Sequence, residues 1–186
     1  MGSPYPLGGV RAPWPTRGGA KDTNTEDQGG ARHIDELLSA GRSIAMVMTT
    51  IGPEHSARPL AVAEVLRNRL GFLVSREADW VDAVATARAA VHVTVSEPDR
   101  SIYLSLDGLA SVVVDEAERH RLWSPVARAW FDGPDDPTLA VLRFDVTGGK
   151  YWDGPSGAVK RGLALLKAAV TGDDAAAGTA GPVAPA

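Results

Sequence analysis

Three short apolar runs separated by turn residues constrain the fold of this chain more than any other sequence feature. The runs are Ile44–Thr50, Ala57–Val65 and Leu70–Val74. Gly52-Pro53 separates the first two runs, Arg67-Asn68-Arg69 separates the last two, and both combinations are typical of turns. Runs rich in β-branched residues with short polar breaks predict three antiparallel strands.

The second run carries an arginine and a proline among its apolar residues. Proline has no N–H group and is normally confined to sheet edges or strand starts, so Pro59 predicts an open edge. A guanidinium beside a protein core favours an anionic partner. We interpret Arg58 as a ligand for the phosphate of a bound cofactor.

Charge and composition disfavour several classes of protein. The chain has 186 residues and a formal net charge of −4, which argues against nucleic-acid and membrane-surface partners. It has no cysteine, which removes disulfides, thiol nucleophiles and thiolate metal sites. No apolar run is long enough for a membrane span, and Met1–Gly30 lacks the apolar core of a signal peptide. We expect a cytoplasmic protein.

The rest of the chain predicts one folded domain, residues 31–171, between two disordered ends, residues 1–30 and 172–186. Further strands are expected at Ala90–Ser96, at Ser101–Val114 with a bulge at Asp107-Gly108, and at Leu139–Val146. Helices are expected at His33–Ala40, Glu77–Arg88, Asp115–Trp130 with a break near Pro125, and Ala158–Val170. About six strands with peripheral helices favour a mainly β fold, a small antiparallel barrel.

The familiar catalytic and metal-binding motifs are missing from the sequence. The four histidines are scattered without metal-ligand spacing, and His92 is interpreted as a sheet histidine. There is no GxSxG, P-loop or GxGxxG pattern, and Asp135-Asp136 lies in a proline-flanked loop typical of turns. We therefore assign no catalytic residue and no metal ligand.

A binding site for an anionic, planar ligand is the remaining expectation. Arg58 provides a cation, and Ser75 and Arg76 lie where a strand meets a helix, a junction whose N–H groups suit a phosphate. Tryptophan rings offer flat faces for a conjugated ligand. The candidates in the folded part are Trp80, Trp123, Trp130 and Trp152.

An ordered set of short motifs resembles the pyridoxamine 5′-phosphate oxidase-like split barrel, and more narrowly its general stress protein 26 branch. In order, the motifs are Ile44–Thr50, Ser56–Leu60, Gly71–Ser75, Tyr103–Ser105, Gly108–Ala110, Leu122–Pro125, Trp130–Pro137 and Tyr151–Pro155. The resemblance covers about His33 to Thr171.

The resemblance implies a homodimer of six-stranded antiparallel split barrels with FMN in clefts between the subunits. In that picture Arg58, Pro59 and Leu60 lie along the flavin and its phosphate, and Val74 and Ser75 come from the next strand. Tyr103 and Ser105 line the same cleft, and Trp152 lies near the flavin from the partner subunit.

The chain departs from the family pattern where many members carry a phosphate-binding lysine, because Asp79 and Trp80 stand at those positions. A partly buried carboxylate near a phosphate is repulsive by roughly 1 kcal/mol or more. Arg76 is the nearby cation that could replace the lysine.

Three functions stay open at this point. The first is an FMN-dependent oxidoreductase linked to stress response, in which the flavin carries the hydride chemistry. The second is a non-catalytic flavin-binding or flavin-sensing stress protein. The third is a reductase that uses the deazaflavin F420, a cofactor of related split barrels.

Overall fold

Alternating apolar and polar residues along long strands produce one antiparallel sheet that closes on itself. The computed structural model describes residues 30–51, 54–86, 88–154 and 179–185. In these ranges the strands are β1 Ile44–Ile51, β2 Glu54–Leu66, β3 Arg69–Ser75, β4 Ala89–Glu97, β5 Ile102–Val113, β6 Leu139–Asp153 and β7 Thr179–Pro182. The helices are α1 Ile34–Leu37, α2 Asp79–Thr86 and α3 Glu116–Leu122, and a 3₁₀ helix covers Pro125–Ala129.

The strand order is β3-β2-β1-β4-β5-β6-β7, and β3 also pairs with β6. The first six strands therefore form a closed antiparallel barrel, which confirms the predicted barrel. Closure depends on the length of β6: its first half pairs with β3 and its last four residues pair with β7. β5 pairs along most of the other edge of β6.

Along β4 and β5 every second residue fills the barrel interior, as strand geometry requires. Val47, Phe72, Val93, Leu106 and Phe144 are among the fully buried side chains. Burying a side chain of this size stabilises the fold by about 1.5–3 kcal/mol. α1 and α2 add their own buried side chains to this core, namely Ile34, Leu37, Val81 and Val84.

An ion-pair cluster holds β3 to β6 where the barrel closes. Arg69 Nε donates to Asp145 Oδ1 at 2.7 Å, and Arg88 also pairs with this carboxylate. Burial alone raises the pKa of Asp145. The hydrogen bond and charge of Arg69, followed by those of Arg88, lower this pKa by a larger amount. The net pKa is below the ordinary value, so the carboxylate stays ionised near neutral pH.

The pairing of β5 with β6 is irregular at Asp107-Gly108, where the sequence predicted a bulge, but the extra residue, Thr147, belongs to β6. A Cβ atom on Gly108 would lie 2.3 Å from the Asp145 carbonyl oxygen and 2.6 Å from the Phe144 ring. Gly108 is therefore required by a close approach of β6.

Two expectations about the end of the domain need correction. β6 does not end at Val146 but continues to Asp153, because Gly149 adopts a φ of +151° and packs closely against β5. The tail at 172–186 is not disordered throughout, because Thr179–Pro182 forms β7. The arm at residues 1–29 and the helix expected at Ala158–Val170 lie outside the described residues.

The helix predictions hold in position but not in length. α3 begins after Asp115, whose carboxylate caps it by accepting from the Glu118 N–H at 2.9 Å, and it ends before the predicted break at Pro125. α1 is limited to Ile34–Leu37. No helix in the ranges given above has the length and apolar content needed to cross a bilayer.

We expect Gly108→Ala to destabilise the fold strongly, whereas Gly148→Ala should change stability little. The added methyl group at Gly108 collides with backbone, while one at Gly148 meets nothing within 4 Å. Overpacking of this kind costs about 1–3 kcal/mol or more. Urea unfolding of the two variants measures the difference, and equal free energies of unfolding would contradict the close-approach argument.

Candidate functional site

The β2 strand has an unpaired edge where Arg58 and Pro59 lie. Glu54–Ala61 pairs with β1, whereas pairing with β3 starts only at Val62. No strand among the described ranges pairs with the other edge of Glu54–Ala61. The open edge predicted from Pro59 is therefore present over this part of β2.

Arg58 carries a half-buried positive charge whose contacts, in the described ranges, are uncharged. It is in register with Val47, which is buried, so it lies on the core side of the sheet. Its Nη1 donates to Thr49 Oγ1 at 3.0 Å, and its guanidinium carbon lies 5.0 Å from the centre of the Trp80 ring. It takes part in none of the ion pairs found among those residues.

Neutral partners orient a guanidinium without cancelling its charge. A cation–π contact contributes about 0.5–2 kcal/mol, depending on how far the pair is desolvated. Thr49 is itself buried, so its hydroxyl fixes the guanidinium from the core side. Arg58 is therefore held in place with N–H groups left over for an anion.

α2 places Trp80 over Arg58. Val81 and Val84 of this helix are buried in the core, so the helix is anchored on the barrel end. Trp80 precedes Val81 and stays half-buried at the rim, packed against the core. Asp79, the first residue of α2, is exposed at the same end of the helix.

The junction between β3 and α2 does not offer the N–H groups that the sequence analysis assigned to a phosphate. Arg76 N–H donates to the Thr138 carbonyl at 2.8 Å, and Ala78 N–H donates to the Ser75 carbonyl at 3.2 Å. Glu77 N–H donates to Ser75 Oγ at 3.3 Å. These bonds engage the N–H groups of Arg76, Glu77 and Ala78 within the turn, and the Arg76 side chain is exposed there.

The predicted site residues fall on two sides of the barrel wall. Arg58 and Leu60 lie on the core side, Trp80 packs there, and Val74 is itself buried in the core. Pro59, Tyr103, Ser105 and Trp152 lie on the opposite side. The register aligns Pro59, Met46, Thr94, Ser105 and Lys150 in one row across five strands.

We call this opposite side the outer face. It comprises that row together with Ile44, Tyr103 and Trp152. Ile44 and Tyr103 lie two residues before Met46 and Ser105, and Trp152 lies two residues after Lys150. Ile44 is 55% exposed, Tyr103 43% and Met46 37%. Exposed apolar side chains that share one face of a sheet are typical of a protein–protein or ligand interface.

A cleft opens beside the outer face where β1 and β4 separate. The two strands pair only from Ala45 to Met48 on β1 and from His92 to Val95 on β4. Beyond these residues a cavity of about 630 Å³ lies between the hairpin of β1 and β2 and the strands β4, β5 and β6. Its lining includes Met48, Thr49, His55, His92, Asp107 and Leu109.

Sequence reasoning did not assign His92 and Asp107 to a site. His92 Nδ1 is 2.7 Å from Asp107 Oδ1, and His92 Nε2 is 3.1 Å from Ser105 Oγ. The alternation of β4 and β5 put these side chains on one face, but their contact depends on the hairpin register, which sequence alone did not fix.

The described residues also contain one group with metal-ligand geometry. One ligand atom each of Glu116, His120 and Asp135 lies within 4.8 Å of the others, and all three residues are exposed. His120 Nε2 is 2.7 Å from Asp135 Oδ1, so the imidazole already has a partner. The neighbouring Asp136 accepts from Thr138 and Asp132, which lowers its pKa and fits the predicted turn chemistry.

Sequence and structure comparisons agree on the family. The family described as "Pyridoxamine 5'-phosphate oxidase like" matches residues 30–176. The match covers most of the 186 residues, so the chain belongs to this family. Curated proteins include no significant match.

Solved structures give the same fold. A putative general stress protein 26 from Jannaschia sp. CCS1 has a TM-score of 0.68 and 25% identity, covering 80% of this chain and 93% of that one. A general stress FMN/FAD binding protein from Xanthomonas citri has a TM-score of 0.56 and 24% identity, covering 63% and 84%. The general stress protein 26 of Bacillus anthracis str. Sterne has a TM-score of 0.56 and 17% identity, covering 63% and 89%.

Proposed function

We propose that this protein binds FMN between two copies of the chain. The observation that carries the proposal is Arg58, a half-buried cation held by Thr49 and Trp80 beside the unpaired edge of β2. A flavin phosphate is the kind of anion that such a guanidinium binds. Family membership and the Xanthomonas protein described as FMN/FAD binding support a flavin as the ligand.

The residues of the chain fit an FMN molecule only in part. Arg58 provides one fixed cation and Arg76 a second, exposed one, while Glu77 and Asp79 add exposed negative charge nearby. Each carboxylate near the phosphate opposes binding by roughly 1 kcal/mol at short range. We therefore expect FMN to bind through few charged contacts and to be sensitive to the loss of Arg58.

A second copy completes the site in this proposal. Arg58 and Trp80 lie on the core side of the wall, whereas Tyr103 and Trp152 lie on the outer face. Two copies that pack their outer faces together would bury Ile44 and Met46 and bring one copy's Trp152 towards the other copy's β2 edge. The homodimer thus accounts for the exposed apolar surface and for the split between the two groups of site residues.

Bound flavin would supply hydride transfer, and the side chains named above would hold and orient it. A cytoplasmic FMN-dependent oxidoreductase linked to stress response is the function that we favour. The exposed carboxylates of Glu77 and Asp79, at the start of α2, favour a second candidate, a non-catalytic flavin-binding stress protein. NAD(P)H oxidation faster than that of free FMN would exclude the second candidate.

We expect Arg58→Ala to weaken FMN binding about tenfold or more, the loss of roughly 1.4 kcal/mol of charge-assisted hydrogen bonding. Arg42→Ala makes the same change in net charge at an exposed arginine before β1 and should bind FMN like the wild type. Fluorescence titration of both variants measures the dissociation constants, with riboflavin as a ligand that lacks the phosphate.

The phosphate assignment requires that Arg58→Ala also removes the preference for FMN over riboflavin. Equal FMN affinity in Arg58→Ala and wild type would show that Arg58 does not hold the phosphate. F420 titrated under the same conditions tests the deazaflavin alternative, and tighter binding of F420 than of FMN would replace FMN as the cofactor.

We expect the wild type to sediment as a dimer at micromolar concentration and Ile44→Glu to sediment as a monomer. A charge placed in a packed apolar interface costs several kcal/mol because it loses its hydration. Val126→Glu is the matched control, since Val126 is equally exposed on the 3₁₀ helix, away from the outer face. A monomeric wild type, or a dimeric Ile44→Glu, would refute the interface.

A further inference from the structure

Glu116, His120 and Asp135 bring donor atoms of two chemical kinds together beside α3. Glu116 and His120 are four residues apart on α3, so they lie on one face of the helix. Asp135 comes from the loop that leads into β6. One donor atom of each residue lies within 4.8 Å of the other two, and His120 Nε2 is 2.7 Å from Asp135 Oδ1. Two carboxylates and one imidazole therefore converge on one point.

No arginine or lysine of the described ranges neutralises these two carboxylates. Glu116 takes part in none of the ion pairs found among those residues, and the ion-pair partner of Asp135 there is His120. Glu118, on the same helix, instead pairs with two arginines. Uncompensated negative charge beside an imidazole favours a bound cation.

Contacts outside the three donors hold the loop in place beside α3. Arg119 Nη1, from the helix, donates to the Asp136 carbonyl oxygen at 2.9 Å. The Asp136 carboxylate accepts from the Asp132 N–H at 3.0 Å, from the Thr138 N–H at 2.8 Å and from the Thr138 hydroxyl at 2.7 Å. The loop and the helix are therefore connected by bonds that do not use the three donors, which leaves those donors available to a ligand.

The donor set suits Zn²⁺ better than Mg²⁺ or Ca²⁺. Imidazole nitrogen is a good ligand for zinc, whereas Mg²⁺ and Ca²⁺ bind through oxygen atoms. Donor atoms of a tetrahedral zinc site lie roughly 3.3 Å apart, because bonds from zinc to nitrogen and oxygen are about 2.0–2.2 Å long. All three side chains are exposed, so small side-chain rotations can bring the donor atoms from 4.8 Å to this separation.

We propose that Glu116, His120 and Asp135 bind one Zn²⁺ ion per chain, with water completing the coordination. The ion takes the place of the hydrogen between His120 Nε2 and Asp135 Oδ1, and the imidazole binds it in the neutral form with its proton on Nδ1. This site goes beyond flavin binding and does not depend on it.

A zinc ion at this position would connect α3 to the start of β6. The loop that carries Asp135 continues to Thr138, whose carbonyl oxygen accepts from the Arg76 N–H at 2.8 Å. The next residue, Leu139, begins β6 and is in register with Ser75 at the end of β3. The ion would therefore fix the loop where β3 and β6 close the barrel, and binding to the folded state alone stabilises that state.

Calorimetric titration of the tag-free, full-length protein with Zn²⁺, after EDTA has removed any metal, is the first test. We expect one Zn²⁺ per chain, and we expect His120→Ala to weaken binding about tenfold or more, because losing even an outer partner of a ligand costs about 10–100-fold. His55→Ala is the matched control, since His55 is also an exposed histidine with a side-chain partner, Thr50, and it should bind zinc like the wild type.

The second test uses Co²⁺ in place of Zn²⁺, because the visible absorption of Co²⁺ reports its ligands and geometry. Tetrahedral Co²⁺ absorbs far more strongly than the hydrated ion. The strong bands should appear with the wild type and His55→Ala, and they should be lost in His120→Ala and Asp135→Asn. Circular dichroism of each variant checks that the barrel is intact.

Binding of one Zn²⁺ that is weakened in His120→Ala and kept in His55→Ala would support the proposal. Equal zinc affinity in His120→Ala and the wild type, Mg²⁺ binding as tight as that of Zn²⁺, or no binding at millimolar Zn²⁺ would overturn it. Any of these results would leave an exposed hydrogen bond that merely ties α3 to the loop. FMN binding is measured separately, so either function can fail without the other.

Discussion

The architecture of this protein depends on β6 pairing with three strands. Its first half closes the barrel on β3, its end receives β7, and β5 pairs along the other edge. Gly149 makes this possible, since a side chain there would collide with the β5 backbone at Ser105. Because β6 runs unbroken past that point, Trp152 reaches the same outer face as Tyr103, its partner on β5.

Arg58 differs from those arginines of the described residues that are paired with carboxylates. Arg121 pairs with the buried Glu64 and with Glu118, whose pKa is lowered by Arg121 and Arg143. Such pairs join α3 to the barrel and compensate their own charges. Arg58 has a hydroxyl and an indole ring instead. The flavin proposal centres on Arg58 because the fold holds this cation without pairing it to a carboxylate.

The sequence was sufficient for those features that follow from local chemistry. Strand alternation, the proline at the unpaired edge of β2 and the irregular pairing at Asp107-Gly108 each depend on near neighbours, and each prediction held. Features that depend on the pairing register of strands distant in sequence could not be predicted from the sequence. The contact of His92 with Ser105 and the engagement of the N–H groups after Ser75 depend on which residues long-range pairing brings together.

The addition of β7 to the barrel has a consequence for the behaviour of the protein at high concentration. Without Thr179–Pro182, Lys150–Asp153 would present a bare row of amide and carbonyl groups beside an aromatic side chain. A strand of a neighbouring molecule can pair with such a row, and this pairing is a first step of aggregation. By supplying its own last strand, the chain pairs these groups within the molecule and leaves no free edge at Lys150–Asp153 for such addition.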